Sequence, residues 1–124
     1  MTLEVGAKAS RTRTVQARDI ELFTEISGDR NPLHSDPEFA KLAGFDRPIL
    51  HGLCTYGITG RALLHTLCDG DPARFKSMEG RFSKPVMPAD DLVVSMWVDG
   101  GECLFQTKNQ AGDVVFDQGV MVFA

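Results

Sequence analysis

An acid and an imidazole stand five residues apart across a proline in Asp29-Arg30-Asn31-Pro32-Leu33-His34. Pro32 biases Asn31 toward extended backbone. Asp29 and His34 are therefore expected on a tight turn, not stacked on a helix face, and side chains so placed can point into one space. A carboxylate and an imidazole on one turn can share a water or a substrate proton. Histidine titrates near neutrality, and an aspartate can orient or assist it. The pair suits general acid–base chemistry. An aspartate just past a helix also serves turns, and an isolated histidine also packs, so the pattern alone leaves both roles open. The second stretch is Pro48-Ile49-Leu50-His51-Gly52-Leu53. It places the Gly52 amide at the expected N-terminus of a long helix, where N–H groups lack intrahelical acceptors and the dipole is positive. A donor there can stabilise an oxyanion such as the enolate of a thioester. An ordinary helix start, with His51 as a polar cap residue, fits the same letters.

Further residues are candidates for binding. Tyr56, Thr59 and Leu63 can line a pocket beside the pair or simply fill the core. Arg61, Arg81 and Lys84 can meet a cofactor phosphate or stand as solvated charge. His34, His51 and His65 have no ligand spacing and no cysteine pair joins them, so no metal is expected. Neither G-x-S-x-G nor a phosphate-cradling glycine loop occurs.

The elements that must position these groups read as follows. A short strand is expected over Thr12–Gln16, with Val15 as its strong apolar residue. A helix follows over Ala17–Ile26, with Ile20, Phe23 and Ile26 at helical spacing and Leu22 beside them. Gly28 fits a left-handed cap just past its end. Asp36-Pro37 is a helix start, an N-cap followed by proline in the first position, and the short helix Pro37–Ala43 should stop at Gly44. His51–Leu67 is the main helix, roughly 25 Å long at 1.5 Å per residue. Its apolar residues nearly encircle it, from Leu53, Cys54 and Tyr56 to Leu64 and Leu67, which predicts burial on all sides. Gly52, Gly57 and Gly60 each cost about 1 kcal/mol inside a helix relative to alanine, which predicts close approach of another backbone or a ligand. Strands are expected over Arg74–Lys84, Leu92–Asp99, Cys103–Lys108 and Val114–Phe123, with Asp99-Gly100-Gly101 as a hairpin turn. The pattern is that of an α+β domain, a curved antiparallel sheet wrapped round one long central helix.

Composition sets the bounds. At 124 residues the chain is expected to form one domain, 1–124, and its surface-to-volume ratio favours self-association. A net charge of −4 without any Lys/Arg run argues against nucleic acid as partner. No apolar run approaches the ~20 residues of a membrane span, so no membrane partner is expected. Met1–Gly6 lacks the charged-then-apolar pattern of a signal peptide. The three cysteines, Cys54, Cys68 and Cys103, are odd in number and sit in apolar surroundings, as reduced core residues of a cytoplasmic protein would.

Asp29-Arg30-Asn31-Pro32-Leu33-His34, then Asp36-Pro37, Ala40, Gly44-Phe45 and Pro48-Ile49-Leu50-His51-Gly52, resemble the hydratase signature of the MaoC-like family. These are R-specific enoyl-CoA hydratases and 3-hydroxyacyl dehydratases with a hot-dog fold. The resemblance runs from about Ile20 onward and includes Arg81-Phe82-Ser83-Lys84-Pro85-Val86 and Pro88. The later half is most similar to the hydratase region of peroxisomal multifunctional enzymes, and the opening to short bacterial members. It implies that Asp29 and His34 hold and activate a water, which adds across the double bond of a trans-2-enoyl-CoA to give the R-3-hydroxyacyl product. It implies that the Gly52 N–H binds the thioester oxygen, that Asn31 supports the turn, and that no cofactor is needed beyond the coenzyme A of the substrate. It also implies a homodimer with sheets paired edge to edge. Thr59 and Gly60 stand where short members place a small polar residue near the acyl pocket. Three alternatives stay in view. One is the same chemistry run as dehydration on an acyl-carrier protein. Another is a hot-dog thioesterase, which commonly carries a carboxylate in the central helix that His51–Leu67 lacks. The last is a non-enzymatic acyl-CoA-binding subunit.

Overall fold

The computed structural model describes residues 8–124. The elements run β1 (Lys8–Thr14), α1 (Ala17–Ser27), a 3-10 turn (Pro32–His34), α2 (Pro37–Leu42), α3 (Gly52–Leu67), a second 3-10 turn (Pro72–Arg74), β2 (Phe75–Phe82), β3 (Asp91–Asp99), β4 (Glu102–Lys108) and β5 (Val114–Phe123). The five strands form one antiparallel sheet in the order β1-β3-β4-β5-β2, packed on α3. This is the expected α+β hot-dog layout.

Period-two alternation decides which face of the sheet is covered. Leu92, Val94, Met96 and Val98 are the buried residues of β3, and Cys103, Phe105 and Thr107 those of β4. With Phe116 and Met121 of β5, most of them enclose Ala62, Leu63 and Leu67 of α3. A second cluster, Val15, Ile20, Leu50, Val86, Leu92 and Val115, lies under the segment that carries the Asp29–His34 turn. Two glycines are required by contact. A Cβ on Gly80 would sit 2.6 Å from the Phe116 ring, and one on Gly119 would enter the Phe105 ring. Both glycines lie where β5 departs from regular pairing with β2 or β4.

Several expectations are corrected. The first strand is Lys8–Thr14, not Thr12–Gln16. It is an edge strand with polar residues on both faces, so it carries no alternation to read. Val15 lies just beyond it, fully buried, its N–H bonded to Asp90 O at 2.8 Å. In α1 only Ile20 is buried, and Ile26 is 83% exposed. The main helix is not buried all round. Thr55, Thr59, Ala62, Leu63, Thr66 and Leu67 face the core, while Leu53, Gly57, Arg61 and His65 form an exposed stripe with i, i+4 spacing. Its glycines divide as well. A Cβ at Gly52 would lie 3.4 Å from the Phe82 ring and one at Gly60 3.5 Å from the Met78 sulfur, whereas Gly57 has nothing within 4 Å. Cys68 and Cys103 are buried free thiols, and burial pushes the Cys103 thiol up to about 11. Cys54 is only half-buried.

Candidate active site

Helix α1 ends as expected at Gly28, with φ of 75° and its N–H bonded to Thr24 O at 3.0 Å. The chain then turns on short-range bonds from side chains to backbone. Asp29 Oδ1 accepts from the Asn31 N–H at 3.2 Å, and Asn31 Oδ1 accepts from the Leu33 N–H at 3.0 Å. Asp36 Oδ1 accepts from the Glu38 N–H at 2.9 Å and starts α2. Such Asx turns fix the backbone over two residues without any core. One backbone bond ties the turn to the approach to α3, from the Ile49 N–H to Leu33 O at 3.3 Å.

The turn brings Asp29 and His34 together. Asp29 Oδ2 lies 3.8 Å from His34 Nε2, with the carboxylate side chain 50% exposed and the imidazole 10%. His34 Nδ1 lies 2.8 Å from Ile49 O, and a carbonyl only accepts, so Nδ1 carries the proton. In the neutral ring Nε2 then offers a lone pair toward Asp29. Two acceptors 3.8 Å apart are too far for a direct bond, yet one water with legs of about 2.8 Å can donate to both.

His51 completes the arrangement, beyond the polar-cap role expected of it. It stands at the N-cap of α3 without a capping bond from its side chain. The ring turns inward, 2% exposed, and stacks on His34 with centroids 3.8 Å apart and planes at 23°. Its Nε2 lies 3.2 Å from Asp29 O and 3.3 Å from Thr24 Oγ1. The Thr24 hydroxyl already donates to Ile20 O at 2.8 Å, so both neighbours of Nε2 accept and Nε2 holds the proton. Nδ1 is left buried without a hydrogen-bond partner among the described residues. Burial and the neighbouring His34 pull the His51 pKa below its usual value, against the raising effect of Asp29. The site thus contains a neutral ring that backs His34. No sequence spacing signals it, because His51 and His34 are 17 positions apart.

The expectation of no metal rested on spacing alone. Asp29, His34 and His51 each offer a ligand atom, all within 4.8 Å of one another. The ring geometry favours proton work: His51 spends Nε2 on Asp29 O and meets His34 face to face, whereas imidazoles bind metals through the ring edge.

The remaining candidates separate. His34, with Ile20, Leu22, Thr24, Arg47 and Pro48, lines a cavity of about 710 Å³. Gly52 opens into another of about 340 Å³, with Ile49, Thr55, Phe82, Lys84 and Val86. The neighbouring residues Pro48 and Ile49 line the first and the second respectively. As the first residue of α3, Gly52 has no intrahelical acceptor for its N–H. Asn31 supports the turn. Lys84 lines the Gly52 cavity but already pairs with Asp113 at 3.2 Å, and Arg81 stands exposed on β2 opposite Asp117. Tyr56, Thr59 and Leu63 are placed in the core. The Tyr56 hydroxyl donates to Met78 O at 2.8 Å, Thr59 bonds Thr107 at 2.8 Å, and Leu63 is fully buried.

Sequence comparison adds the decisive observation: the MaoC like domain pattern matches residues 2–119. The chain belongs to the MaoC-like family. The MaoC-like chain is 52% identical over 98 residues to "Enoyl-CoA hydratase 2, peroxisomal" of Arabidopsis thaliana, which covers 79% of this chain and 30% of that protein. It is 47% identical over 112 residues to "3-hydroxyacyl-thioester dehydratase Y" of Mycobacterium tuberculosis, covering 85% of this chain and 39% of that protein. It therefore spans well under half the length of either. Among solved structures, an unliganded R-hydratase of Pseudomonas aeruginosa superposes with TM-score 0.86 at 33% identity, over 98% of this chain and 82% of that one. An R-hydratase of A. caviae does so at 0.84 and 28%, over 97% and 95%. No helix among the described residues is long and apolar enough to cross a membrane. Since relatives include proteins named as peroxisomal, they do not carry the cytoplasmic expectation.

Proposed function

We propose that this MaoC-like chain hydrates trans-2-enoyl-CoA thioesters to R-3-hydroxyacyl-CoA, and that Asp29 and His34 are the groups that do it. The observation that carries the reading is the 3.8 Å gap between Asp29 Oδ2 and His34 Nε2, with Nδ1 pinned as donor to Ile49 O. A water in that gap directs its hydrogens at the two acceptors and an oxygen lone pair outward, toward C3 of the enoyl group. As the C3–O bond forms, the water proton passes to the pair and the double-bond electrons move onto the thioester oxygen. The free Gly52 N–H is the donor for that oxygen. The proton held by the pair then goes to C2, which regenerates the site with no cofactor. The two groups act together as one proton store. Asn31 keeps the turn in shape, and Lys84 is a cation lining the Gly52 cavity.

The wider reading has a second copy of the chain against the open edge of β2, where Phe82 is 49% exposed, to complete the wall over Gly52. Light scattering on the purified protein gives the mass directly. The relative named as a 3-hydroxyacyl-thioester dehydratase supports a second reading, the reverse dehydration on a carrier-bound thioester. One experiment addresses both: crotonyl-CoA and crotonyl-carrier protein are supplied, loss of enoyl absorbance is followed, and the product's configuration is determined. Hydration of crotonyl-CoA to the R product is expected. Turnover of the carrier-protein form alone would select the second reading, and an S product would contradict both.

A further inference from the structure

Of the three basic residues that the sequence offers for a phosphate, Lys84 is paired with Asp113; Arg81, across from Asp117 in the strand register, and Arg61 have no hydrogen-bond or ion-pair partner among the described residues, and Arg61 shares a cavity with other cations. Arg61 opens into a cavity of about 370 Å³ between β1 and α3, apart from the dyad. Arg11 and Arg13 reach it from one face of β1, two residues apart, and Arg61 and His65 from one face of α3, four apart. Among the described residues no carboxylate lines it, although the whole chain is net negative at −4. Arg11 is already oriented: its Nε donates to Thr66 Oγ1 at 2.7 Å, which leaves both terminal guanidinium nitrogens unpartnered among the described residues. Arg13 pairs with the carboxylate of Asp19 at 2.9 Å.

Single exposed arginines are usually solvated charge. This group differs in three respects. Its members converge from two elements some 50 residues apart in sequence. One guanidinium is held by a bond that does not use its fork. Beneath them lie the buried side chains of Leu92 and Val94, so the cations repel one another over a poorly polarisable floor. An anion relieves that repulsion. Planar forks from two directions with an imidazole beside them suit a tetrahedral group with three oxygens better than a flat carboxylate.

We propose that the groove between β1 and α3 binds a phosphate-bearing anion, gripped by Arg11 and Arg61 with His65 as a further donor. The phosphate is either free in solution or the phosphate end of coenzyme A. Only the second source rests on the hydratase reading, and binding is measured without turnover, so failure of one is distinguishable from failure of the other.

The test is calorimetric titration with inorganic phosphate and with adenosine 3′,5′-bisphosphate, in a phosphate-free buffer of low ionic strength. The proteins are wild type, Arg61→Gln, the double variant Arg11→Gln/Arg61→Gln, and Asp29→Asn as a control. Wild type and Asp29→Asn should bind alike. Arg61→Gln should weaken binding at least tenfold, and the double variant should show none, with circular dichroism unchanged. Similar binding of both anions, with the KM for enoyl-CoA unaltered in Arg61→Gln, identifies a free-phosphate site. Preference for the bisphosphate, with KM raised and kcat kept, identifies the coenzyme's phosphate end. Absence of binding of either anion to wild type at millimolar concentration, or equal binding by all four proteins, overturns the proposal.

Discussion

The segment from Gly28 to His51 and the sheet of β3, β4 and β5 are held by opposite means. In the first, the side chains of Asp29, Asn31 and Asp36 accept bonds from backbone only two or three residues ahead, and Ala40, Leu50 and His51 are its only buried residues. In the second, alternating side chains meet partners far away in sequence across α3. The difference separates chemistry from stability. Asp29 is half exposed and makes little of the core, so altering its end group should cost turnover and leave the fold. Phe116 touches no reacting atom under the proposed mechanism, yet its ring meets Tyr56, Phe82 and Phe105.

The sharpest way to break this contrast is at the dyad. Asp29→Asn and His34→Gln should each lower kcat/KM for crotonyl-CoA by about 10²–10⁴, the range of general acid–base catalysis. Melting temperatures should stay within a few degrees of wild type. A comparable loss of stability would mean that the turn is structural. Phe116→Ala is the mirror experiment: it should cost about 3–5 kcal/mol in urea unfolding, a large part of the ~5–15 kcal/mol typical of a domain. Thr59→Val is smaller. It strands the buried Thr107 hydroxyl at a cost of about 1–3 kcal/mol, visible as a shifted midpoint at constant slope.

The smallest effect crosses from one region to the other. His51 is buried and neutral, with its pKa held below the usual 6.5 chiefly by burial. Below about 6.5 the unfolded chain takes up a proton that the folded chain refuses, so this group's contribution to stability is complete above that pH and falls as acid is added. Its slope cannot exceed about 1.4 kcal/mol per pH unit. Thermal unfolding between pH 5.5 and 7.5 should show the decline, and His51→Gln should flatten it.

Much of the site was legible because its signals are local. Gly28 as a left-handed cap, Asp36-Pro37 as a helix start and the Pro32 turn each act within a few residues, and each is found in place. Alternation along Leu92–Val98 was equally plain, since that strand has one covered face. What stayed hidden depends on partners far along the chain. Counting apolar residues could not orient α3, where Leu53 is 67% exposed and Thr59 fully buried. A threonine can be buried when a second hydroxyl, here Thr107, stands 48 residues away to receive it. The inward turn of His51 is of the same kind. Its environment is made by Thr24, Asp29 and His34, none of which lies within ten residues of it. In β1, polar residues on both faces left only Val15 to see, and Val15 falls outside the strand.

Under the proposed mechanism Asp29 and His34 hold one water between them and act as a unit. A double-mutant cycle tests it most directly, with kcat/KM for crotonyl-CoA measured for wild type, Asp29→Asn, His34→Gln and the double variant. If the pair shares the water, the second substitution removes little that the first has left, and the double variant should be about as slow as the slower single one. If the two losses multiply, each residue acts by itself and the shared-water account is wrong.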